Sequence, residues 1–346
     1  MHADNPESLE RASGGASSVQ TPGITPGVVG RFAPTPSGRM HLGNVFSALI
    51  SWLSVRSAGG RMVLRIEDLD LRAQDRSVAK LLMDDLAWLG LDWDEGPFYQ
   101  SDRGSIYSDA IDRLRKQRLT YPCFCTRSEL HAANAPHASD GTYVYQGTCR
   151  NLSADEVRRR SALRPPATRL RVPDADDPTG VISFDDAVYG HHSEVLAREC
   201  GDFLIRRSDG VVAYQLAVVV DDALMGITQV VRGHDLLGSV ARQVYLQRLL
   251  GYPTPSYAHV PLLVDPDGRR LSKRDRDLDL GAIRDSGLGP NRVLGFLASL
   301  VGLAEKGEEA SADDLVPRFS WDVIRMHRAD LVMERELLTP LEMPPH

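Results

Sequence analysis

The chain has 346 residues, 42% hydrophobic and 25% charged, close to the globular average and outside the range of collagenous, coiled-coil or mostly disordered proteins. At roughly 150 residues per domain, that length allows about two domains with a real core. Its 40 Lys and Arg against 47 Asp and Glu leave a net charge of −7. This excludes an indiscriminate nucleic-acid binder held by many phosphate contacts and confines any such role to a local basic face.

Residues 1–28 are rich in Ser, Gly, Pro and Ala without an apolar period and are expected to form a disordered tail. They lack the basic start and apolar stretch of a secretory signal. Val28 to Ala33 predicts a strand, broken by Pro34, Pro36 and Gly38. From His41, the residues Leu42, Val45, Phe46, Leu49 and Leu53 recur at helical spacing until Gly59-Gly60. Met62 to Ile66 is a second strand ending in Glu67-Asp68-Leu69-Asp70, and Val78, Leu82, Leu86 and Leu89 mark the next helix. Strand and helix alternating over short connections imply an α/β fold with a parallel sheet and right-handed crossovers, with its first half at 29–120. Ligands of such sheets bind at the carboxyl ends of the strands, where Pro34 to Gly43 and Glu67 to Asp70 fall.

Residues 121–186 break the alternation with three of the four cysteines, many arginines and Pro165-Pro166, and read as an insertion. The pattern resumes over 187–264 with the apolar run Val211 to Val220, then Val230-Val231, a helix from Leu236 to Leu250, and Val260 to Val264. The run 211–220 is closed by Asp209 and Asp221 and falls short of the roughly 20 residues a membrane-spanning helix needs. A membrane partner is therefore not expected, and the few, unevenly spaced cysteines point to a reducing, cytoplasmic setting. Residues 265–346 contain a basic loop and a short, mostly helical segment with the acidic run Glu305 to Asp314.

Three constellations carry chemistry. Pro34 to Asn44 joins a strand to a helix, whose unpaired N–H groups and positive dipole end can hold a phosphate. Gly43 admits close approach to the backbone, and His41 can donate a hydrogen bond to a phosphoryl oxygen as charge builds there. Arg269 to Arg274 follows the turn Asp265-Pro266-Asp267-Gly268, and Ser272 and Lys273 on that loop can close over a triphosphate. Taken alone, the first reads equally well as an ordinary capped helix, and the second reads more readily as a solvated basic loop. Cys123 and Cys125, with Cys149 after 23 intervening residues, supply three of the four tetrahedral ligands zinc wants. The fourth is open among Tyr145, His131 and His137, and Cys200 stands alone. Arg158, Arg159, Arg160 and Arg164, with Arg269, Arg270 and Arg274, are candidates for RNA contact, although the first cluster reads equally as a solvated helix face.

Taken together and in order, His41-Leu42-Gly43-Asn44 resembles the HIGH motif, and Leu271-Ser272-Lys273 the KMSKS loop, of class I aminoacyl-tRNA synthetases. Four longer strings, Arg31 to Gly38, Leu64 to Asp70, Tyr214 to Asp222 and Val231 to Leu237, resemble the catalytic domain of glutamyl-tRNA synthetases. The resemblance runs from about residue 29 to 280. It implies a Rossmann-like catalytic domain that activates L-glutamate with ATP and Mg²⁺. Arg31, Ala33, Thr35, Glu67, Tyr214 and Arg232 would line the glutamate pocket, with Thr35 standing where relatives often have Ser. His41, Gly43, Asn44, Leu271, Ser272 and Lys273 would hold ATP, with His41 and Lys273 as the catalytic pair. The charges agree with a dicarboxylic amino acid, whose two carboxylates need cations and whose ammonium needs an anion.

Tyr145 to Cys149 resembles a Tyr-x-x-x-Cys pairing in one branch of this family, the glutamyl-queuosine tRNA(Asp) synthetases. That implies one structural Zn²⁺ on Cys123, Cys125, Tyr145 and Cys149. Only 72 residues follow Arg274, fewer than the about 100 expected of an anticodon-binding domain. The expectation is thus a monomeric, truncated relative that transfers glutamate to the queuosine base of tRNA(Asp), rather than to the 3′ end of tRNA(Glu).

Overall fold

The computed structural model describes residues 27–126, 128–129, 144–269, 271 and 279–333. Two strand–helix passes open it: β1 (Val29–Phe32), α1 (Leu42–Ser57), β2 (Arg61–Ile66), α2 (Arg76–Trp88) and β3 (Glu95–Tyr99). The three strands pair in parallel in the order β1-β2-β3. Of the 16 residues of α1, 11 are buried, so its apolar positions extend well beyond one stripe and the helix lies inside the molecule. Its start is thereby fixed at the carboxyl end of β1.

After α3 (Gly104–Lys116) come β4 (Thr120–Cys123), α4 (Ala154–Ser161), β5 (Ala167–Leu170), β6 (Val181–Asp186), β7 (Gly190–Val195) and β8 (Phe203–Arg206). Strands β4, β5 and β8 form an antiparallel sheet around the cysteines. β6 lies within the stretch expected as an insertion, yet it pairs in parallel with β10 (Ser256–Val260). Its alternate residues Ile182 and Phe184 enter an apolar core that also holds Leu246 and Tyr257, distinct from the core around α1.

The apolar run at 211–220 is mostly helix, α5 (Tyr214–Leu224), despite the β-branched Val218-Val219-Val220. Burial against α3 and α6 (Val240–Leu250) outweighs that local preference. β9 (Gln229–Gly233) and β10 complete a sheet in the order β7-β6-β10-β9. The edges of the parallel sheet and of this second sheet, parallel except for β7, meet along β1 and β9, where the Thr228 amide donates to the Val29 carbonyl at 2.9 Å. This is the point at which strand order reverses, the usual ligand site of such sheets.

The C-terminal segment returns to the first core. α7 (Leu280–Asp285) and α8 (Pro290–Ser299) supply Leu280, Ile283, Val293, Leu294 and Leu297 to the cluster containing Phe46, Leu49 and Leu53 of α1. β12 (Leu331–Val332) pairs in parallel with β11 (Leu263–Val264), an extended element in a stretch the sequence reads as mostly helical.

The seat of α1 on β1 requires a glycine, because a Cβ at Gly30 would lie 2.3 Å from a Val55 methyl. Gly30→Ala should therefore lower the unfolding free energy by about 1–3 kcal/mol in urea denaturation, with the far-ultraviolet circular dichroism spectrum of the native state retained.

Candidate active site

A cavity of about 680 Å³ opens between the carboxyl ends of β1 and β9. Among the residues singled out from the sequence, Arg31, Ala33, Thr35, His41, Asn44, Glu67, Tyr214, Arg232 and Leu271 line it. Gly43 does not. A Cβ there would come 3.1 Å from the His41 ring, so the glycine makes room for the imidazole. Ser272 and Lys273 lie outside the described residues, as do Arg270, Arg274, His131 and His137.

The chain on both sides of that loop is anchored at the cavity. Leu271 is buried and its amide donates to the Leu263 carbonyl at 3.1 Å, while Asp279 bridges to His41 and the Leu280 amide donates to Met40 at 2.9 Å. His41 is the N-cap of α1, with the Asn44 and Val45 amides donating to its carbonyl and no acidic residue in the first helical turn. That leaves the positive end of the helix facing the cavity unopposed. The loop before it is clamped by buried Asp85, which accepts from Arg39 at 2.6 Å, Arg284 at 3.1 Å and the Met40 amide at 3.3 Å.

Charges on the cavity wall are ordered by buried pairing. Arg31 is 5% exposed and donates to the Val231 carbonyl at 3.1 Å. Its Nε stands 3.7 Å from Asp222 and has no hydrogen-bond partner among the described residues. Burial pushes its pKa down, which Asp222 opposes and Arg65 and Arg232 reinforce. Arg65, fully buried, donates to Asp222 at 2.6 Å and to Glu67 at 3.1 Å and lies 3.8 Å from Asp221. Burial works against its charge, but the three carboxylates outweigh that and hold its pKa above the ordinary value. Burial pushes the Glu67 carboxyl above its usual range against the pull of Arg65 and Arg31. A cation arriving beside Glu67 would bring it down again.

On β9, Arg232 donates to Tyr214 Oη at 3.3 Å, Gln243 Oε1 at 3.0 Å, the Leu236 carbonyl at 3.2 Å and His259 Nε2 at 3.0 Å. Burial raises the Tyr214 phenol, so it is neutral near pH 7. Arg65, Asp222, Gln243 and His259 were missed as site residues. Two of them, Arg65 and Asp222, sit in strings that stand out in the sequence, but only the fold shows that the four touch Arg31, Glu67 or Arg232.

The cysteines form a separate centre. The sulfurs of Cys123, Cys125 and Cys149 all lie within 4.8 Å of one another, close enough to hold one metal ion. Tyr145 Oη stands 3.6 Å from the sulfurs of Cys123 and of Cys125 and accepts from the Cys149 amide at 2.7 Å. Arg169 stacks on the Tyr145 ring at 3.6 Å and donates to Cys123 Sγ at 3.2 Å.

The arginine-rich helix α4 is largely paired within itself. Arg158 pairs with Asp155, Arg159 and Arg160 pair with Glu156, and Arg164 lies 3.8 Å from Glu129. That favours the solvated helix face over an RNA site. Among the described residues no helix is long and apolar enough to cross a membrane.

Residues 27–334 match the family model of the class I tRNA synthetases (E and Q), catalytic domain, and the chain belongs to that family. It is 46% identical to a glutamyl-Q tRNA(Asp) synthetase of Symbiobacterium thermophilum, over 90% of this chain and 98% of that one. Against a glutamate–tRNA ligase of Geobacter sulfurreducens the identity is 40%, over 85% of this chain and 61% of that one. The solved glutamate tRNA ligase of Elizabethkingia meningosepticum, in complex with its amino acid, superposes with a TM-score of 0.74 at 27% identity, covering 91% of this chain and 68% of that one.

The His259 ring beside Arg232 gives the site a pH signature. Burial lowers its pKa to about 4 against the opposing bond to Asp186, so the folded protein refuses a proton that the unfolded chain takes up near 6.5. The stability this group contributes is complete above pH 6.5 and is lost as the pH falls toward 4. Between those values the unfolding free energy should drop by about 1.4 kcal/mol more per pH unit in the wild type than in His259→Gln, measured by urea titrations at each pH.

Proposed function

We propose that the protein is a ligase that activates L-glutamate with ATP and transfers the glutamyl group to the queuosine base in the anticodon of tRNA(Asp). The observation that carries this reading is the cavity wall, where two buried guanidiniums, Arg31 and Arg232, and one carboxylate, Glu67, converge beside the start of α1. A free dicarboxylic amino acid presents the complementary charges, and desolvated charges must be paired. The acceptor is supported by the relatives, since the chain spans 98% of a glutamyl-Q tRNA(Asp) synthetase but 61% of a glutamate–tRNA ligase.

In the first step an oxygen of the glutamate α-carboxylate attacks the α-phosphorus of ATP in line, forming glutamyl-adenylate as the bond to pyrophosphate breaks. Arg31 and Arg232 hold the carboxylates, Glu67 takes the ammonium, and Ala33 and Thr35 close the wall. His41 and the amides at the start of α1 stabilise charge developing on the phosphates, joined by Lys273 and Ser272, as the resemblance of Leu271-Ser272-Lys273 to the KMSKS motif implies. Asn44 lines the nucleotide end, and Gly43 allows the His41 ring its place. Magnesium bound with ATP supplies further neutralisation of the phosphate charge. In the second step a hydroxyl on the cyclopentene ring of queuosine attacks the activated carbonyl, giving the ester and AMP. With ATP and labelled glutamate, label should appear on tRNA(Asp) carrying queuosine and on neither unmodified tRNA(Asp) nor tRNA(Glu). Label on tRNA(Glu) would mark an ordinary glutamyl-tRNA synthetase instead.

The cysteine centre suits one structural zinc. Tetrahedral bonds of about 2.3 Å place ligand atoms about 3.8 Å apart. The spacings of 3.6 Å between Cys125 and Cys149, and from Tyr145 Oη to Cys123 and Cys125, come close to that edge. Zinc on Cys123, Cys125, Tyr145 and Cys149 would pin β4 to the segment before α4. Elemental analysis should find about one zinc per chain, lost in Cys149→Ala, and chelation should lower the thermal midpoint.

A further inference from the structure

We propose, taking the cavity as the glutamate pocket, that Asp186 and His259 are positioning residues that hold the Arg232 guanidinium in place while leaving its charge free for a ligand carboxylate. Three neighbouring parallel strands bring them together. Arg232 and His259 stand opposite one another in the register of β9 and β10, and Asp186 stands opposite Tyr257 where β6 meets the other edge of β10. The side chains of Asp186 and His259 are both 0% exposed.

The order of donors follows from chemistry alone. A guanidinium nitrogen can only donate, so His259 Nε2, 3.0 Å from Arg232 Nε, must offer its lone pair. The ring proton then resides on Nδ1 and is donated to Asp186 Oδ2 at 2.6 Å. Asp186 is fixed in turn, because its Oδ1 accepts from the amides of Val188 at 3.0 Å, Tyr189 at 2.9 Å and His259 at 3.3 Å. The backbone turn between β6 and β7 thus orients a carboxylate, the carboxylate orients an imidazole, and the imidazole orients the arginine.

The arrangement differs in kind from that of Arg65, which spends its charge on Asp222, Glu67 and Asp221. Every hydrogen-bond partner of Arg232 among the described residues is neutral: an imidazole, a phenol, an amide and a peptide carbonyl. A carboxylate in the place of His259 would orient the guanidinium equally well but would compete with the substrate for it. An imidazole backed by a carboxylate gives the orientation without that competition.

The test is steady-state ATP–pyrophosphate exchange by the full chain, varying glutamate and ATP separately. His259→Phe should raise the KM for glutamate by about tenfold or more, with kcat and the KM for ATP within about threefold of wild type. His259→Gln, whose amide can accept from Arg232 and donate to Asp186, should recover most of that loss. A His259→Phe enzyme with glutamate KM within about threefold of wild type, or a His259→Gln enzyme as impaired as His259→Phe, overturns the proposal. Nitrogen-15 spectra of the wild-type chain near pH 7 give a second measurement that needs no variant to fold. Nε2 of His259 should be unprotonated and Nδ1 protonated, and the opposite tautomer or an imidazolium overturns the relay. A wild type that exchanges no pyrophosphate with glutamate would instead defeat the reading of the pocket, and the tautomer would still decide the relay.

Discussion

The cavity depends on a ladder of buried charges that alternates in sign from Arg31 through Asp222 and Arg65 to Glu67. Each rung comes from a different element: β1, α5, β2 and the turn after β2. An ion of either sign placed alone in that interior would cost several kcal/mol. Side by side, they fix the relative position of the elements more sharply than apolar packing does, because shifting any one strands its neighbours without a partner. Asp221 extends the ladder by accepting from Arg103 at 2.7 Å, Gln100 at 2.8 Å and Tyr107 at 2.8 Å.

Arg31, Arg65 and Arg103 are matched by Glu67, Asp221 and Asp222 in direct contact, whereas Arg232 meets the carboxylate of Asp186 only through the His259 ring. On the proposed reading, a glutamate carboxylate supplies the direct partner, and a neutral amide analogue would leave the buried guanidinium without a carboxylate in contact. Discrimination of that kind exceeds what a fit of size alone can give, since the penalty is a desolvated charge rather than a missing methylene. It explains why the wall nearest Arg232 is built of neutral acceptors.

Much of the first half could be read from the sequence because its signals are local. Proline and glycine end β1, the apolar residues of α1 recur at helical spacing, and the acidic turn at 67–70 directly follows a strand. The parts that escaped depend on contacts far apart in the chain. Val218-Val219-Val220 carry strand propensity but sit in a helix, because α3 and α6 bury them. Asp186 looks like the end of an insertion until β6 is seen to pair with β10, 70 residues later. His259 gives no sign in its surroundings that its partner is an arginine on the neighbouring strand.

The C-terminal segment shows why the cavity cannot be understood from the strand–helix alternation alone. Leu331 and Val332 pair with Leu263 and Val264, the strand that leads toward Leu271, and the Leu262 amide donates to Asp330 at 2.9 Å. The same carboxylate lies 2.6 Å from His234 Nε2, one residue beyond the end of β9. Tyr189, in the turn whose amides hold Asp186, lies against the His234 ring and donates to the Arg328 carbonyl at 2.9 Å. Residues 328–332 therefore tie together the strand that leads toward Leu271, the end of the strand carrying Arg232 and the turn carrying the relay. Positioning at this site is distributed over much of the chain: the groups that face the ligand come from the strand ends, and they are held by residues far away in sequence, as Arg31 is by Val231, 200 positions on.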